Sequence, residues 1–126
     1  MSCPFCDLPE DRIMFTNRMA TAILDLYPVS PGHTLVIPNV HVVSVFDLSW
    51  PKRQAVMDMV EQVRNTLSKQ YRTNCFNIGI NDGTWAGQTV PHAHIHVIPR
   101  YKGDVPDPRG GIRHVFPDKA NYLNRE

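Results

Sequence analysis

The residues best able to do chemistry lie in His92-Ala-His-Ile-His-Val-Ile98, where His92, His94 and His96 alternate with apolar side chains. Successive side chains of an extended strand point to opposite faces. The three imidazoles therefore share one face, and Ala93, Ile95 and Val97 share the other. Neighbouring rings on such a row stand ~7 Å apart. A single histidine on a strand is ordinary. Three are costly to bury idle, because every ring nitrogen needs a partner. Two chemistries suit the row. Neutral imidazole is a common metal ligand, and an imidazole nitrogen can also attack phosphorus to form a covalent intermediate, with its neighbours as acid–base partners.

Asn81-Asp-Gly-Thr-Trp-Ala-Gly-Gln-Thr89 leads into the row through glycines and hydrogen-bonding side chains. Backbone N–H groups in such a loop can close around phosphate oxygens, although a plain hairpin turn has the same composition. A second cluster is Cys3-Pro-Phe-Cys6. A redox pair would follow a strand and open a helix. No strand can precede residue 3, and Pro9, Glu10 and Asp11 follow closely. Half of a Cys₂His₂ zinc site accounts for the spacing better than chance does.

These groups need a frame. The 126 residues suit one domain, read here as 1–126. Thr21-Ala-Ile-Leu-Asp25 reads as a buried strand, Pro28 to Gly32 as a turn, and His33 to Pro38 as a second strand. Between Pro51 and Tyr71, Val56, Met59, Val60, Val63 and Leu67 recur at helical spacing, with Ser49 as N-cap and Pro51 in the first turn. A short helical turn is expected within Val43 to Leu48. Cys75 to Asn81 and His92 to Pro99 read as strands paired antiparallel across the glycine loop. The fold class is α+β: an antiparallel sheet of about five strands with one long and one short helix. Residues 101–126, rich in Pro, Gly and charge, are expected to be a mostly irregular tail.

A net charge of +1 argues against broad binding to nucleic acid or a membrane surface. No apolar run approaches the ~18–20 residues that span a bilayer. The opening MSCPFCDLPEDR has neither a basic start nor an apolar stretch, so a cytoplasmic location is expected. An odd count of three cysteines does not suggest a disulfide framework.

Gly87-Gln-Thr-Val-Pro-His92-Ala-His94-Ile-His96-Val-Ile-Pro-Arg100 resembles the signature of the histidine-triad (HIT) family of nucleotide hydrolases and transferases. Pro28-Val-Ser-Pro-Gly-His33-Thr-Leu-Val-Ile-Pro38 resembles that family's upstream segment. The resemblance implies a five-stranded HIT-like fold, a nucleotide substrate and a homodimer. It implies that His94 attacks the α-phosphorus to give a nucleotidyl-histidine that water hydrolyses. His96 would bond the phosphate or leaving group, with His92 and His33 in support. Asp25 matches the residue that holds the ribose hydroxyls. Asn81, Gly87, Gln88 and Thr89 match positions around the phosphates, and Ile23 and Leu24 part of a base pocket, although Ile23 could equally be core. Zinc-containing members pair their two cysteines with a histidine after the second strand and with the first of the triad. The implied ligands are then Cys3, Cys6, His41 and His92, a structural zinc that tethers residues 1–10. The ending Val97-Ile-Pro-Arg100 is similar to the dinucleoside-polyphosphate hydrolase branch. Arg100 would lie near the outer phosphates or stay solvated. A phosphorylase or nucleotidyl transferase, a non-catalytic nucleotide-binding module and a metallohydrolase built on the histidine row are the alternatives.

Overall fold

Five antiparallel strands order themselves β1-β2-β3-β5-β4 in a computed structural model that describes residues 3–124. They are β1 Ile13–Thr16, β2 Ala20–Leu24, β3 Thr34–Pro38, β4 Cys75–Ile80 and β5 Ile95–Arg100, and α1 spans Trp50–Tyr71. The expected short helix is a 3₁₀ turn, Val45–Asp47, where the Ser44 hydroxyl accepts from the N–H of Phe46.

Alternation decides which face of the sheet meets the helix. Ala20 and Ala22 on β2, Val36 on β3, and Ile95 and Val97 on β5 pack with Val56, Met59, Val60, Val63 and Leu67 of α1. The small alanines let the helix approach closely. On the opposite face Ile23, Leu35 and Ile37 form a second cluster, covered by Phe5, Leu8 and Ile13 from the N-terminal segment. Gly32, in the turn between β2 and β3, has φ 89°, and a Cβ there would stand 2.8 Å from the Tyr71 ring. Both the backbone angle and the seat of the helix end require glycine.

The sequence reading does not locate β1. It is a four-residue edge strand with three partly buried side chains in a row and an irregular register between Ile13 and Phe15, so the period of two that marks a strand is missing. Among the described residues, the stretch after β5 contains no strand or α-helix, only 3₁₀ turns at Gly111–Val115, Pro117–Lys119 and Tyr122–Asn124. Among the described residues no helix is long and apolar enough to cross a membrane.

Candidate active site

The hydrogen-bonded strand carrying the histidines starts later than its sequence suggests. β5 begins at Ile95, opposite Ile80 of β4 and Val36 of β3, so His92 and His94 lie just outside the ladder. Ala93 instead donates its N–H to the carbonyl of Val42, at 2.7 Å. The alternation survives, because Ala93 is anchored in the helix-side core while His92 and His94 are 0% and 8% exposed.

Each imidazole is aimed by a specific partner, and the partners assign the ring protons. His92 donates from Nε2 to the Pro38 carbonyl at 2.8 Å, which leaves its Nδ1 lone pair turned toward Cys3, Cys6 and His41. His94 donates from Nδ1 to the carbonyl of His92 at 2.9 Å. Its Nε2 is therefore the nitrogen with a bare lone pair, the state a nucleophile needs. His33 accepts at Nδ1 from the Val29 N–H at 3.1 Å and donates from Nε2 to His96 Nδ1 at 2.9 Å. That leaves the proton of neutral His96 on Nε2, available to an oxygen. Asp25 Oδ2 lies 3.5 Å from His33 Nε2, and its Oδ1 accepts from the Tyr27 N–H.

Burial dominates the protonation of these rings. It pushes the pKa of His96 down to about 4, helped by His94 and His33 as potential cations and opposed by Asp25. Burial also lowers His33, against the pull of Asp25, and lowers His92. These rings are neutral at pH 7. In an NMR titration His96 is expected to change its ring shifts near pH 4 instead of the ordinary value near 6.5. Asp25→Asn should move that midpoint lower still, since it removes the carboxylate that favours the imidazolium. A His96 midpoint above 6 would contradict the arrangement.

The other residues singled out from sequence divide into those the fold gathers here and those it directs elsewhere. Asn81 and Thr89 are exposed at the two ends of the glycine loop. Gly87 takes φ 95° after the 3₁₀ turn Thr84–Ala86, so that position suits glycine. The Gln88 side chain is committed to the loop itself: it donates to the carbonyls of Val43 and Val90 and accepts from the Gly83 N–H. Ile23 is fully buried in the second cluster, whereas Leu24 is exposed. As neighbours on one strand they face opposite sides of the sheet, so they do not line one pocket together. Arg100 is partly exposed and its guanidinium is already engaged. It binds Asp104 in bidentate fashion at 2.8 and 2.9 Å and Asn77 at 2.6 Å. Sequence reasoning passed over Phe5, whose ring meets His94 edge-on with centroids 5.0 Å apart. Its position inside the Cys3-Cys6 spacing was the available signal.

Cys3, Cys6, His41 and His92 place one ligand atom each within 4.8 Å of one another. The separations are 3.3 and 3.5 Å from the sulfurs to His92 Nδ1, 3.2 Å from Cys6 to His41 and 3.2 Å between the two Nδ1 atoms. With metal bonds of ~2.3 Å to sulfur and ~2.0–2.1 Å to nitrogen, a tetrahedral zinc has edges of roughly 3.3–3.5 Å where nitrogen is involved and about 3.8 Å between sulfurs. The four donors are thus at the spacing of a closed zinc site. Cys6 is raised in pKa, first by its hydrogen bond with Cys3, and a divalent cation between the thiols would reverse that. The histidine row is not one metal centre, because its three rings turn to three different partners.

Residues 8–103 match the family described as HIT domain. The chain is 39% identical over 93 residues to a bis(5'-nucleosyl)-tetraphosphatase (asymmetrical) of Schizosaccharomyces pombe, covering 74% of this chain and 51% of that protein. It is 34% identical over 96 residues to a bis(5'-adenosyl)-triphosphatase of Saccharomyces cerevisiae, covering 75% and 47%. The chain thus spans about half the length of these curated relatives. Among solved structures, a zinc-bound histidine triad family protein of Mycobacterium smegmatis superposes with a TM-score of 0.69 at 38% identity, over 84% of each chain.

Proposed function

The chain belongs to the HIT domain family, and from that premise we propose that it is a nucleotide hydrolase acting on dinucleoside polyphosphates through a covalent nucleotidyl-histidine at His94. The observation that carries this reading is the bond from His94 Nδ1 to the His92 carbonyl. It orients the ring and leaves Nε2 as the nitrogen with the free lone pair, beside imidazoles that burial keeps neutral. The relatives named tetraphosphatase and triphosphatase support the substrate class.

In the first step the His94 Nε2 lone pair forms a bond to the α-phosphorus as the bond to the bridging oxygen breaks. The distal phosphate leaves with that electron pair. His96 Nε2–H donates to a phosphate oxygen, and His33 supports His96 from behind through its own donated hydrogen bond. In the second step water attacks phosphorus and gives up one proton to solvent, the P–N bond breaks, the nucleoside monophosphate departs and neutral His94 returns. Asp25 is oriented by the Tyr27 N–H and accepts the ribose hydroxyls, while Asn81, Gly87 and Thr89 border the phosphates. Gln88 acts on this site indirectly, by shaping the loop.

Zinc held by Cys3, Cys6, His41 and His92 would supply structural cross-linking and no step at phosphorus. Its effect on the chemistry would pass through His92, which receives the hydrogen bond of the nucleophile. Cysteine ligands need a reducing surrounding, in keeping with a cytoplasmic location. A homodimer would cover Ile78 and Ile80, which are partly exposed on the free edge strand β4.

The test is mass spectrometry of the protein quenched shortly after mixing with diadenosine tetraphosphate. An adduct of one nucleoside monophosphate on His94, absent from His94→Ala, is expected. Turnover with no adduct at any time, together with full activity of His94→Ala, would refute the mechanism. Adding inorganic phosphate separates water from phosphate as acceptor, through the appearance of a nucleoside diphosphate.

A further inference from the structure

Residues 104–124 follow the stretch that matches the family and have no role in the chemistry above, yet they are tightly built. Asp107 accepts from the backbone and guanidinium of Arg109 and from the side-chain amide of Asn121. The Arg109 bonds, above all, hold its carboxyl down to about 2. Gly110 has φ 94°, and a Cβ there would fall 2.1 Å from the carbonyl oxygen of Ala120. Two runs of backbone therefore touch where only glycine fits. Arg113 closes the same junction by donating to the carbonyls of Lys119 and Ala120 at 2.8 and 3.2 Å. Asp107-Pro-Arg-Gly-Gly-Ile-Arg113 is a clasp.

What the clasp presents is apolar. Ile112, Val115 and Phe116 are 71%, 72% and 69% exposed. Together with Arg113 and Lys119 they line an open surface depression of about 430 Å³. Three large apolar side chains fixed in the open by a rigid turn mark a contact surface.

Its position names the contact. Ile112 Cδ1 lies 4.0 Å from where a Cβ on Gly79 would be, and Gly111 lies against Asn77. Gly79 is the cross-strand partner of His96 on the neighbouring strand, so both lie on the same face. The apolar cap thus overhangs the sheet one strand spacing from His96, about 4.8 Å. It stands on the β4 side of His96, whereas Asp25, whose carboxylate lies within 4.8 Å of the His96 ring, follows β2 on the other side. With no side chain on Gly79, nothing from that residue stands between the cap and His96.

We propose that this cap is the distal half of the substrate site, with Ile112, Val115 and Phe116 receiving the nucleoside that departs with the leaving phosphates. The assignment rests on the hydrolase reading above, in which Asp25 accepts the ribose hydroxyls of the retained nucleotide, and it places the leaving group on the other side of His96. A nucleobase offers a flat apolar face to Ile112 and Phe116, and its phosphates meet the positive charge of Lys119.

The experiment compares Ile112→Asp and Phe116→Asp with wild type on two substrates. One is diadenosine tetraphosphate. The other is adenosine 5′-phosphoramidate, whose leaving group is ammonia and cannot reach the cap. Both variants alter exposed side chains, and a melting curve checks that the fold is kept. The dinucleotide kcat/KM is expected to fall roughly tenfold, mostly through KM, with the phosphoramidate value kept within about twofold. An equal fall on both substrates would overturn the assignment, and so would no fall on either. Loss of a dimer in sedimentation alongside the activity change would also overturn it, by showing that the cap meets a second copy instead. If the wild type turns over neither compound, the hydrolase reading fails and takes this one with it. Turnover with an unchanged substrate ratio sinks only the distal site.

Discussion

His94→Ala is expected to lower turnover of a dinucleoside polyphosphate by on the order of 10⁴-fold or more, while the protein still folds and still binds nucleotide. The size of the effect follows from the role. Losing a group that forms the covalent bond removes the pathway, whereas losing a donor only weakens it. His94 is also the ring whose Nδ1 is tied to a backbone carbonyl, at 2.9 Å from the oxygen of His92. In the proposed mechanism that bond fixes both the tautomer and the direction of the attacking lone pair, so no neighbour would substitute for it. His92 has its bare nitrogen turned toward the cysteines, and His96 has its own turned toward His33. His96→Ala removes a donor to the phosphate and should cost less, about 10²–10³-fold. Steady-state kinetics on the two variants, with nucleotide affinity measured by calorimetry, separates these roles. A His94→Ala enzyme within tenfold of wild type would overturn the assignment of the nucleophile, and equal losses at both positions would remove the distinction drawn between them.

Much of this arrangement was legible in the residues, and the remainder was not for definite reasons. The alternation of His92, His94 and His96 carried the face on which they stand, because strand geometry persists even where the ladder has ended. α1 was legible because five buried residues repeat at its period, and Pro51 marks its first turn. β1 was not, since an irregular edge strand with both sides partly covered has no alternating pattern. At the site, the groups that set tautomers are largely backbone: the carbonyls of Pro38 and His92 and the N–H of Val29. Any residue type supplies these, so no motif announces them. Gln88 and Arg100 show the opposite difficulty. Their side chains suit phosphate, and the fold commits them to Val43, Val90, Asp104 and Asn77. Residue type gives a capacity, and only tertiary contacts say whether it is already taken.

Removing the metal site should have the second large effect, on stability first and on rate through it. Cys3→Ser or Cys6→Ser is expected to abolish zinc binding in metal-replete protein and to lower Tm by roughly 10–20 °C, as befits the loss of several kcal/mol. Cys3 and Cys6 belong to the N-terminal segment, His41 to the loop after β3, and His92 to the approach to β5. A single ion would therefore tie the N-terminal segment to two stretches already joined to each other by the Ala93–Val42 and His92–Pro38 bonds. The same segment carries Phe5, which packs on His94 and covers Ile23, Leu35 and Ile37. Releasing it would uncover the second cluster and loosen the carbonyl that aims the nucleophile. The rate should accordingly fall through kcat, with KM less affected, because the ligands position His94 without touching substrate. Cys75→Ser is the control, since Cys75 is an exposed free thiol on β4 outside the metal-ligand group, and it should leave zinc, Tm and kcat unchanged. Zinc content by atomic absorption, with melting curves before and after a chelator, reads the outcome. Stoichiometric zinc in Cys6→Ser, or a wild-type Tm indifferent to chelation, would mean that the four side chains meet without an ion to hold them. The order of His92, then His94, would in that case rest on the Pro38 bond alone.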